Sequence, residues 1–280
     1  MNINIDIIRS ILKERKEDSH KGTYGHLLVT AGSYGYRGAA ILATLGAYYV
    51  GTGLVSVAST EETISAVVAR VPEAIFINTA NLTVYLKTLS SVNACLIGCG
   101  LSKSSSAKTL LEETIVNANC PLVIDADGLN LLSQNQELLK KLKGEVILTP
   151  HIGEFSRLAS LSIDTILLRK EELALEYAKK NNVIVILKSD KTIIATPDGE
   201  TYRNTVGNSG LAKAGSGDLL AGIVAGLLAM GYSSKEAAIS GVYLHSLAAD
   251  IASKTRNRHT LTASYIAEYI SDAYNMIFYR

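Results

Sequence analysis

The sequence predicts a single α/β domain: a mostly parallel central sheet covered by helices on both faces, with a β-meander near one edge. Three observations carry this. Short apolar runs of strand length alternate with longer segments of helical spacing along nearly the whole chain. One stretch breaks that rhythm, because Val183–Lys188, Thr192–Thr196 and Glu200–Arg203 are separated only by Ser189-Asp190-Lys191 and Pro197-Asp198-Gly199. Those turn residues leave no room for crossover helices. No Pro/Gly/Ser-rich linker, charge run or repeat divides the 280 residues, so one domain over 1–280 is expected.

The elements follow in order. Ile7, Ile8, Ile11 and Leu12 recur at helical spacing, which predicts an amphipathic helix over 5–16. Strands are expected at Leu27–Ala31, Leu54–Ala58, Ala94–Gly98, Leu122–Asp125, Val146–Thr149 and Val183–Leu187. An Ala-rich helix is expected at Ala39–Val50, and Ser59-x-x-Glu62 reads as a capping box opening the next. Further helices are expected over 105–117, 164–181, 219–230, 234–254 and 262–277.

Composition excludes several classes. Hydrophobic residues at 48% and charged residues at 19% exclude disorder. Lys+Arg is 27 and Asp+Glu 26, a net charge of +1, which gives no electrostatic drive toward nucleic acid or anionic lipid. Cys95, Cys99 and Cys120 form neither a disulfide framework nor a zinc pattern; Cys95 and Cys99 are expected as apolar fillers. The N-terminus does not read as a signal peptide. The longest apolar run, Leu219 to Gly231, has 13 residues, too short to span a bilayer. A soluble, cytoplasmic protein is expected. P-loop, Rossmann G-x-G-x-x-G, H-E-x-x-H and G-x-S-x-G motifs are all missing.

Five constellations remain. Gly207-Asn208-Ser209-Gly210-Leu211-Ala212-Lys213-Ala214-Gly215-Ser216-Gly217-Asp218 feeds a small-residue turn into an apolar helix. Free N–H groups at that helix start, with Gly215 and Gly217 admitting close approach, suit a phosphoryl group. Asp218 sits in the first turn, where the helix dipole should keep it ionised. Its plain alternative is a helix cap. Gly25 to Ala40 places a glycine-rich loop between a buried strand and a helix. Asp125-Ala126-Asp127 puts two carboxylates at a strand end, suited to Mg²⁺ through water or to capping alone. His151 and Glu154 share one face of a helical turn after Leu148-Thr149-Pro150. Lys188 ends a buried strand, where a nucleotide phosphate or ribose is a sensible partner; the plain alternative is a solvated hairpin turn. His245 and Asp250 read as structural. A doubly covered sheet gathers strand C-termini along one rim, so these signals point to one site.

In that order, the segments KGTYGHLLVTAGSYGYRGAAILA, GCGLS, LVIDADGLN, LTPHIGEFSRL, ILKSDKT and NSGLAKAGSGDLLAGIVAGLLAMG resemble the nucleotide-dependent NAD(P)H-hydrate dehydratases of the ribokinase-like superfamily. The resemblance runs from about Lys21 to Ala267. It implies a ribokinase-like fold and a repair reaction: the hydrated ring hydroxyl of NADH hydrate or NADPH hydrate is phosphorylated by ADP or ATP, and phosphate is then eliminated. ADP is the expected co-substrate, with AMP released. By resemblance, Asp218 is the base on the hydrate hydroxyl, and Gly215, Ser216 and Gly217 hold the transferring phosphoryl. Ala39, Ser102 and His151 contact the hydrate. Lys188, Ser189, Asp190, Lys191, Thr192 and Gly217 contact the adenine nucleotide. Glu154 stands where the superfamily organises Mg²⁺, through water. A homotetramer and a separate hydrate epimerase are implied partners, and the apolar face of the N-terminal helix is available to an assembly. Cys99, Ser102, Ser189, Ser209, Lys213 and Ala214 depart from the family pattern. The competing readings are a ribokinase-like small-alcohol kinase of the thiazole or hydroxymethylpyrimidine type, and a nucleotide-binding sensor without turnover.

Overall fold

Nine strands form one sheet in the order β3-β2-β1-β4-β5-β6-β7-β8-β9 in a computed structural model, which describes residues 1–279. The strands are β1 His26–Thr30, β2 Leu54–Ser59, β3 Ile75–Asn78, β4 Ala94–Ile97, β5 Leu122–Ile124, β6 Val146–Leu148, β7 Ile184–Leu187, β8 Ile193–Ala195 and β9 Thr201–Arg203. The helices are α1 Ile5–Ile11, α2 Arg37–Tyr49, α3 Glu61–Val68, α4 Leu82–Leu89, α5 Ser105–Asn117, α6 Asp127–Gln134 and α7 Ile152–Ala159. They continue as α8 Ile163–Leu168, α9 Lys170–Asn181, α10 Ser216–Ala229, α11 Ser234–Ala252, α12 Ala263–Glu268 and α13 Ile270–Tyr279. β1 to β7 pair in parallel. β8 and β9 pair antiparallel, forming the meander that the short turns predict.

Alternation along each strand builds two cores. Leu27, Val29, Leu96, Val123, Ile147 and Ile186 face α2, α10 and α11. Leu28, Cys95, Ile97, Ile124, Leu148 and Val185 face the helices between α4 and α9. Strands buried on both faces read as continuous apolar runs, which is why they are legible in the sequence. Cys95, Cys99 and Cys120 are buried free thiols.

α2 and α10 touch backbone to backbone. A Cβ on Gly46 would meet the Leu219 carbonyl at 2.5 Å, and one on Gly222 the Ala43 carbonyl at 2.0 Å. These glycines set the depth of α10 and so the place of its N-terminus.

Several boundaries differ from expectation. The helix expected over 164–181 breaks at Arg169, whose φ of −132° ends α8 and opens α9. The one expected over 262–277 breaks at Tyr269. The capping box at Ser59 does not form: Thr60 is the N-cap of α3, and the Ser59 hydroxyl donates to the Ala31 carbonyl at 2.6 Å. The N-terminal helix stops at Ile11, because Leu12 is extended. Its apolar face is not left free. Ile8 and Leu12 lie in the core shared with α11 and α13. Among the described residues, no helix is long and apolar enough to cross a membrane.

Candidate active site

The parallel strands deliver their C-terminal residues to one rim. The turn after β5 carries Asp125, which is 1% exposed. Its carboxylate accepts from Lys188 Nζ at 2.7 Å, from Thr149 Oγ1 at 2.6 Å and from Cys99 Sγ at 3.5 Å. Those partners follow β7, β6 and β4. A buried carboxylate is tolerable only when paired and hydrogen-bonded, and here it is both.

Asp218 comes from the other direction, in the first turn of α10. Its carboxyl lies with the Cys99 sulfur and the Asp125 carboxyl, the ligand atoms all within 4.8 Å of one another. Burial first, and then the Asp125 charge, push its pKa up to about 6, while the Cys99 thiol and Lys188 pull the other way. The dipole expected to keep Asp218 acidic is outweighed by desolvation. At neutral pH the group is still ionised, and poised as a base. Burial lowers the ammonium pKa of Lys188, but Asp125 and then Glu154 outweigh it, so the net shift is upward and the charge is kept. Burial and the neighbouring Asp125 hold Cys99 as a thiol.

Gly215 opens α10 in the left-handed region at φ 88°, and no side chain caps the helix. A Cβ on Gly217 would lie 3.1 Å from Lys188 Nζ. The uncapped N–H groups and the ammonium therefore face the same space, a cradle for a phosphoryl group. Ser216 is held from behind by His245, whose Nε2 is 3.3 Å from Ser216 Oγ. Burial, with Lys188 nearby, lowers His245 to about 4, so the imidazole is neutral.

His151 is the N-cap of α7, and its Nδ1 accepts from Gly153 and Glu154 N–H. Glu154 returns the bond to the His151 N–H at 2.8 Å and is itself buried. The shared helical face expected for this pair is a reciprocal cap.

Two clefts open along this rim. One, of about 310 Å³, is lined by His151, Lys188, Ser189, Thr192, Ser216 and Gly217, together with His245. The other, of about 670 Å³, is lined by Ser33, Leu101, Ser102 and the loops after β2 and β3. Ala39 is buried against the Gly100 loop. The structure thus brings together most of the residues singled out in the sequence, with two exceptions. The Asp190 carboxylate turns away to Lys170 at 2.9 Å, and Lys191 lines a separate hollow with Arg203.

Asp125 and Asp127 do not present free ligands. Asp125 is taken up by Lys188 and Thr149, and Asp127 accepts the Ser102 N–H at 2.9 Å. That bond holds Ser102 at φ 72°, a left-handed position where the family pattern has glycine. The partner of Lys188 within the protein is Asp125, where the sequence suggests a nucleotide phosphate or ribose, or an ordinary solvated turn. Two site residues went unseen. Cys99 was expected as filler and His245 as structural, because neither sits in a pattern that separates a site residue from a core residue.

The sequence model of the NAD(P)H-hydrate dehydratase family matches residues 27–272. The chain belongs to that family. It is 34% identical to the ADP-dependent (S)-NAD(P)H-hydrate dehydratase of Bacillus subtilis, covering 94% of each chain. It is 40% identical to that of Neisseria meningitidis over 86% of this chain and 81% of the relative. A 36% identical relative is the bifunctional NAD(P)H-hydrate repair enzyme of Moorella thermoacetica, and the chain spans about half of it, 51%. The Bacillus subtilis dehydratase co-crystallized with ATP/Mg²⁺ superposes with a TM-score of 0.87 at 33% identity, covering 98% of this chain and 97% of that one. Hydroxyethylthiazole kinase from Pyrococcus horikoshii, 13% identical with a TM-score of 0.64, shares the fold alone. Within the dehydratase family, departures such as Cys99 leave Asp218 and its glycine turn intact.

Proposed function

We propose that this chain, as one domain over residues 1–280, dehydrates NADH hydrate and NADPH hydrate with an adenine nucleotide, ADP preferred, releasing AMP and phosphate. The observation that carries the reading is the Asp218 carboxyl, poised near neutrality beside an uncapped helix start and the Lys188 ammonium. That arrangement suits transfer of a phosphoryl group to a hydroxyl, and relatives of this chain are named for ADP dependence.

The nucleotide takes the cleft of Lys188, Ser189, Thr192 and Gly217, and the hydrate reaches Asp218 from the side of Ala39, Ser102 and His151. Asp218 accepts the proton of the ring hydroxyl. The hydroxyl oxygen bonds to the terminal phosphorus of ADP, and the bond from that phosphorus to the bridging oxygen breaks, releasing AMP. The ring carbon–oxygen bond then breaks, phosphate leaves with the electron pair, and a neighbouring ring proton is lost to restore the double bond. The Gly215-Ser216-Gly217 N–H groups and Lys188 stabilise charge on the moving phosphoryl, where positioning and electrostatics supply most of the catalysis. The rim carboxylates are held within the protein, so Mg²⁺ would enter with the nucleotide near Glu154 through water, and it would neutralise phosphate charge. Both Glu154 oxygens already face His151, which favours contact through water.

The reading extends to a homotetramer in the cytoplasm, paired in function with a hydrate epimerase on a separate chain. Family resemblance supports this. Ile163, Leu167 and Leu168 on α8 supply exposed apolar surface that an assembly would cover.

The test is direct. Purified protein, prepared NADH hydrate, Mg²⁺ and ADP or ATP are mixed, and dihydronicotinamide absorbance is followed beside AMP and phosphate release. Recovery with ADP supports the reading. Recovery with ATP alone overturns only the nucleotide preference. A stable phosphate ester without recovery would identify a small-alcohol kinase, and nucleotide binding with no product a sensor.

A further inference from the structure

We propose that Cys99, Asp125 and Asp218 form a site for a thiophilic divalent cation, Zn²⁺ foremost, and that a cation held there shuts the active site. The binding stands on the geometry of the three side chains; the shut-down rests on the functional reading above.

The groups converge from three elements. Cys99 follows β4, Asp125 follows β5 and Asp218 lies in the first turn of α10, yet the sulfur and one oxygen of each carboxylate lie within 4.8 Å of one another. The two strand-end loops are locked together: a Cβ on Gly98 would meet the Asp125 carbonyl at 2.0 Å, so only glycine lets them approach. The donor atoms are not committed elsewhere. Lys188 and Thr149 both bond to Asp125 Oδ1, at 2.7 and 2.6 Å, which leaves Oδ2 to the Cys99 thiol at 3.5 Å. That thiol is 0% exposed and, among the described residues, has no hydrogen-bond partner outside these carboxylates. A fully buried thiol beside two carboxylates is not an apolar filler. Position 99 is also one at which this chain departs from the family pattern.

Zn²⁺ holds sulfur at about 2.3 Å and oxygen at about 2.0–2.2 Å, so the ligand atoms of a tetrahedral set lie roughly 3.5 Å apart. The Cys99–Asp125 spacing already matches, and the other spacings, within 4.8 Å, close by about 1 Å. Three protein ligands leave a fourth position for water or a phosphate oxygen. On binding, the thiol proton leaves to solvent and a thiolate–metal bond takes the place of the S–H, with no change of oxidation state. Two carboxylates here face one ammonium, and Glu154 adds to the negative field, so the incoming charge neutralises an excess. Mg²⁺ does not suit the same corner, because it takes oxygen and water ligands and the thiol covers the one oxygen of Asp125 left open. The half-buried Asp218 gives the cation its way in from the rim. An Asp218 oxygen bonded to metal no longer has its lone pair for the proton of the ring hydroxyl, so the base is lost.

The experiment uses the untagged full chain. Co²⁺ is titrated in without nucleotide, and Zn²⁺ is read by displacing it. The expected result is a thiolate-to-cobalt charge-transfer band that saturates at a single Co²⁺ per chain. The band should persist in C120A, which removes a buried thiol elsewhere, and vanish in C99A and C99S. D218N should weaken Zn²⁺ binding by more than the roughly 10–100-fold that loss of a group merely supporting a ligand costs. Turnover of NADH hydrate with ADP and Mg²⁺ should stop on addition of Zn²⁺ and return with a chelator. C99S, each rate taken relative to its own zinc-free value, should tolerate at least about tenfold more Zn²⁺. Thermal melts show which variants are folded, and the near-isosteric C99S carries the comparison where C99A melts early. A cobalt spectrum without the band, or a band that survives in C99S, overturns the site. Equal inhibition of wild type and C99S overturns the shut-down. No turnover before zinc is added overturns the functional reading, and the cobalt band still decides the site.

Discussion

Asp218 answers two opposed demands. A base for a hydroxyl proton works best with a pKa near the operating pH, and burial beside Asp125 supplies one of about 6. The same burial makes the ionised group a burden on the fold. Its folded pKa stands above its ordinary 3.8, so the native state binds more protons over the interval between the two. Stability is therefore lost as pH rises through that interval, and above about 6 the loss is complete, up to about 3 kcal/mol for a shift of this size. Asp218→Asn should lower kcat by about 10²–10⁴ with both ligands still bound. It should also raise the melting temperature at pH 8, a gain that vanishes toward pH 4. The wild-type kcat/KM should fall about tenfold per pH unit below about 6, following the base. A normal rate with an unshifted melt would reduce Asp218 to a bystander. Lys188 carries a double role too. Lys188→Met should raise the nucleotide KM and also leave Asp125 buried and unpaired, a cost of about 3–5 kcal/mol. Adding Asp125→Asn should restore part of that stability but none of the nucleotide affinity, as urea melts and steady-state kinetics would show.

At the scale of elements, α10 decides the site. Its N-terminus is the phosphoryl cradle, and its position is set a turn further along by Gly222, whose missing Cβ lets it sit on the Ala43 carbonyl of α2. Gly222→Ala should destabilise the protein by about 1–3 kcal/mol, since backbone cannot turn aside as a side chain can. It should also lower kcat beyond that, because α10 must shift against Lys188. Loss of stability with an unchanged rate in the folded fraction would separate the helix position from catalysis. His245 on α11 steadies the same cradle through Ser216. Its folded pKa of about 4 lies below its ordinary 6.5, so the stability it contributes is present above about 6.5 and is lost as pH falls through 4. His245→Gln should keep most of that structure and flatten the acid limb of the stability curve between pH 6.5 and 4, measured by urea melts.

Across the whole molecule, the sheet concentrates functional groups along one rim and leaves the opposite ends of its strands to packing. The proposed homotetramer belongs to this scale. Light scattering should give about four times the monomer mass of 29.9 kDa. Leu168→Asp, at an exposed apolar position on α8, should lower that mass if α8 is in the interface, without touching the rim. A monomer in the unmodified protein would end the assembly proposal.

The amino-acid sequence by itself determined the fold class and the approximate place of the site, because both rest on local signals. Doubly buried strands read as short apolar runs, and the meander announces itself by turns too short for helices. The glycine turn before Asp218 and the polar residues after strands are visible for the same reason. Tertiary structure alone decided the rest. Nothing near Lys188 in the chain names Asp125 as its partner, since the pair is made across β6 by residues 63 apart. Asp218 looks like an ordinary acidic residue in a first helical turn until burial and a second carboxylate raise its pKa, contrary to the dipole's pull. Cys99 and His245 enter the site only through neighbours from other elements, and Ile8 is claimed by the core rather than left for a partner. Proximity between distant residues and the dielectric around them are properties of packing, and no local pattern encodes either.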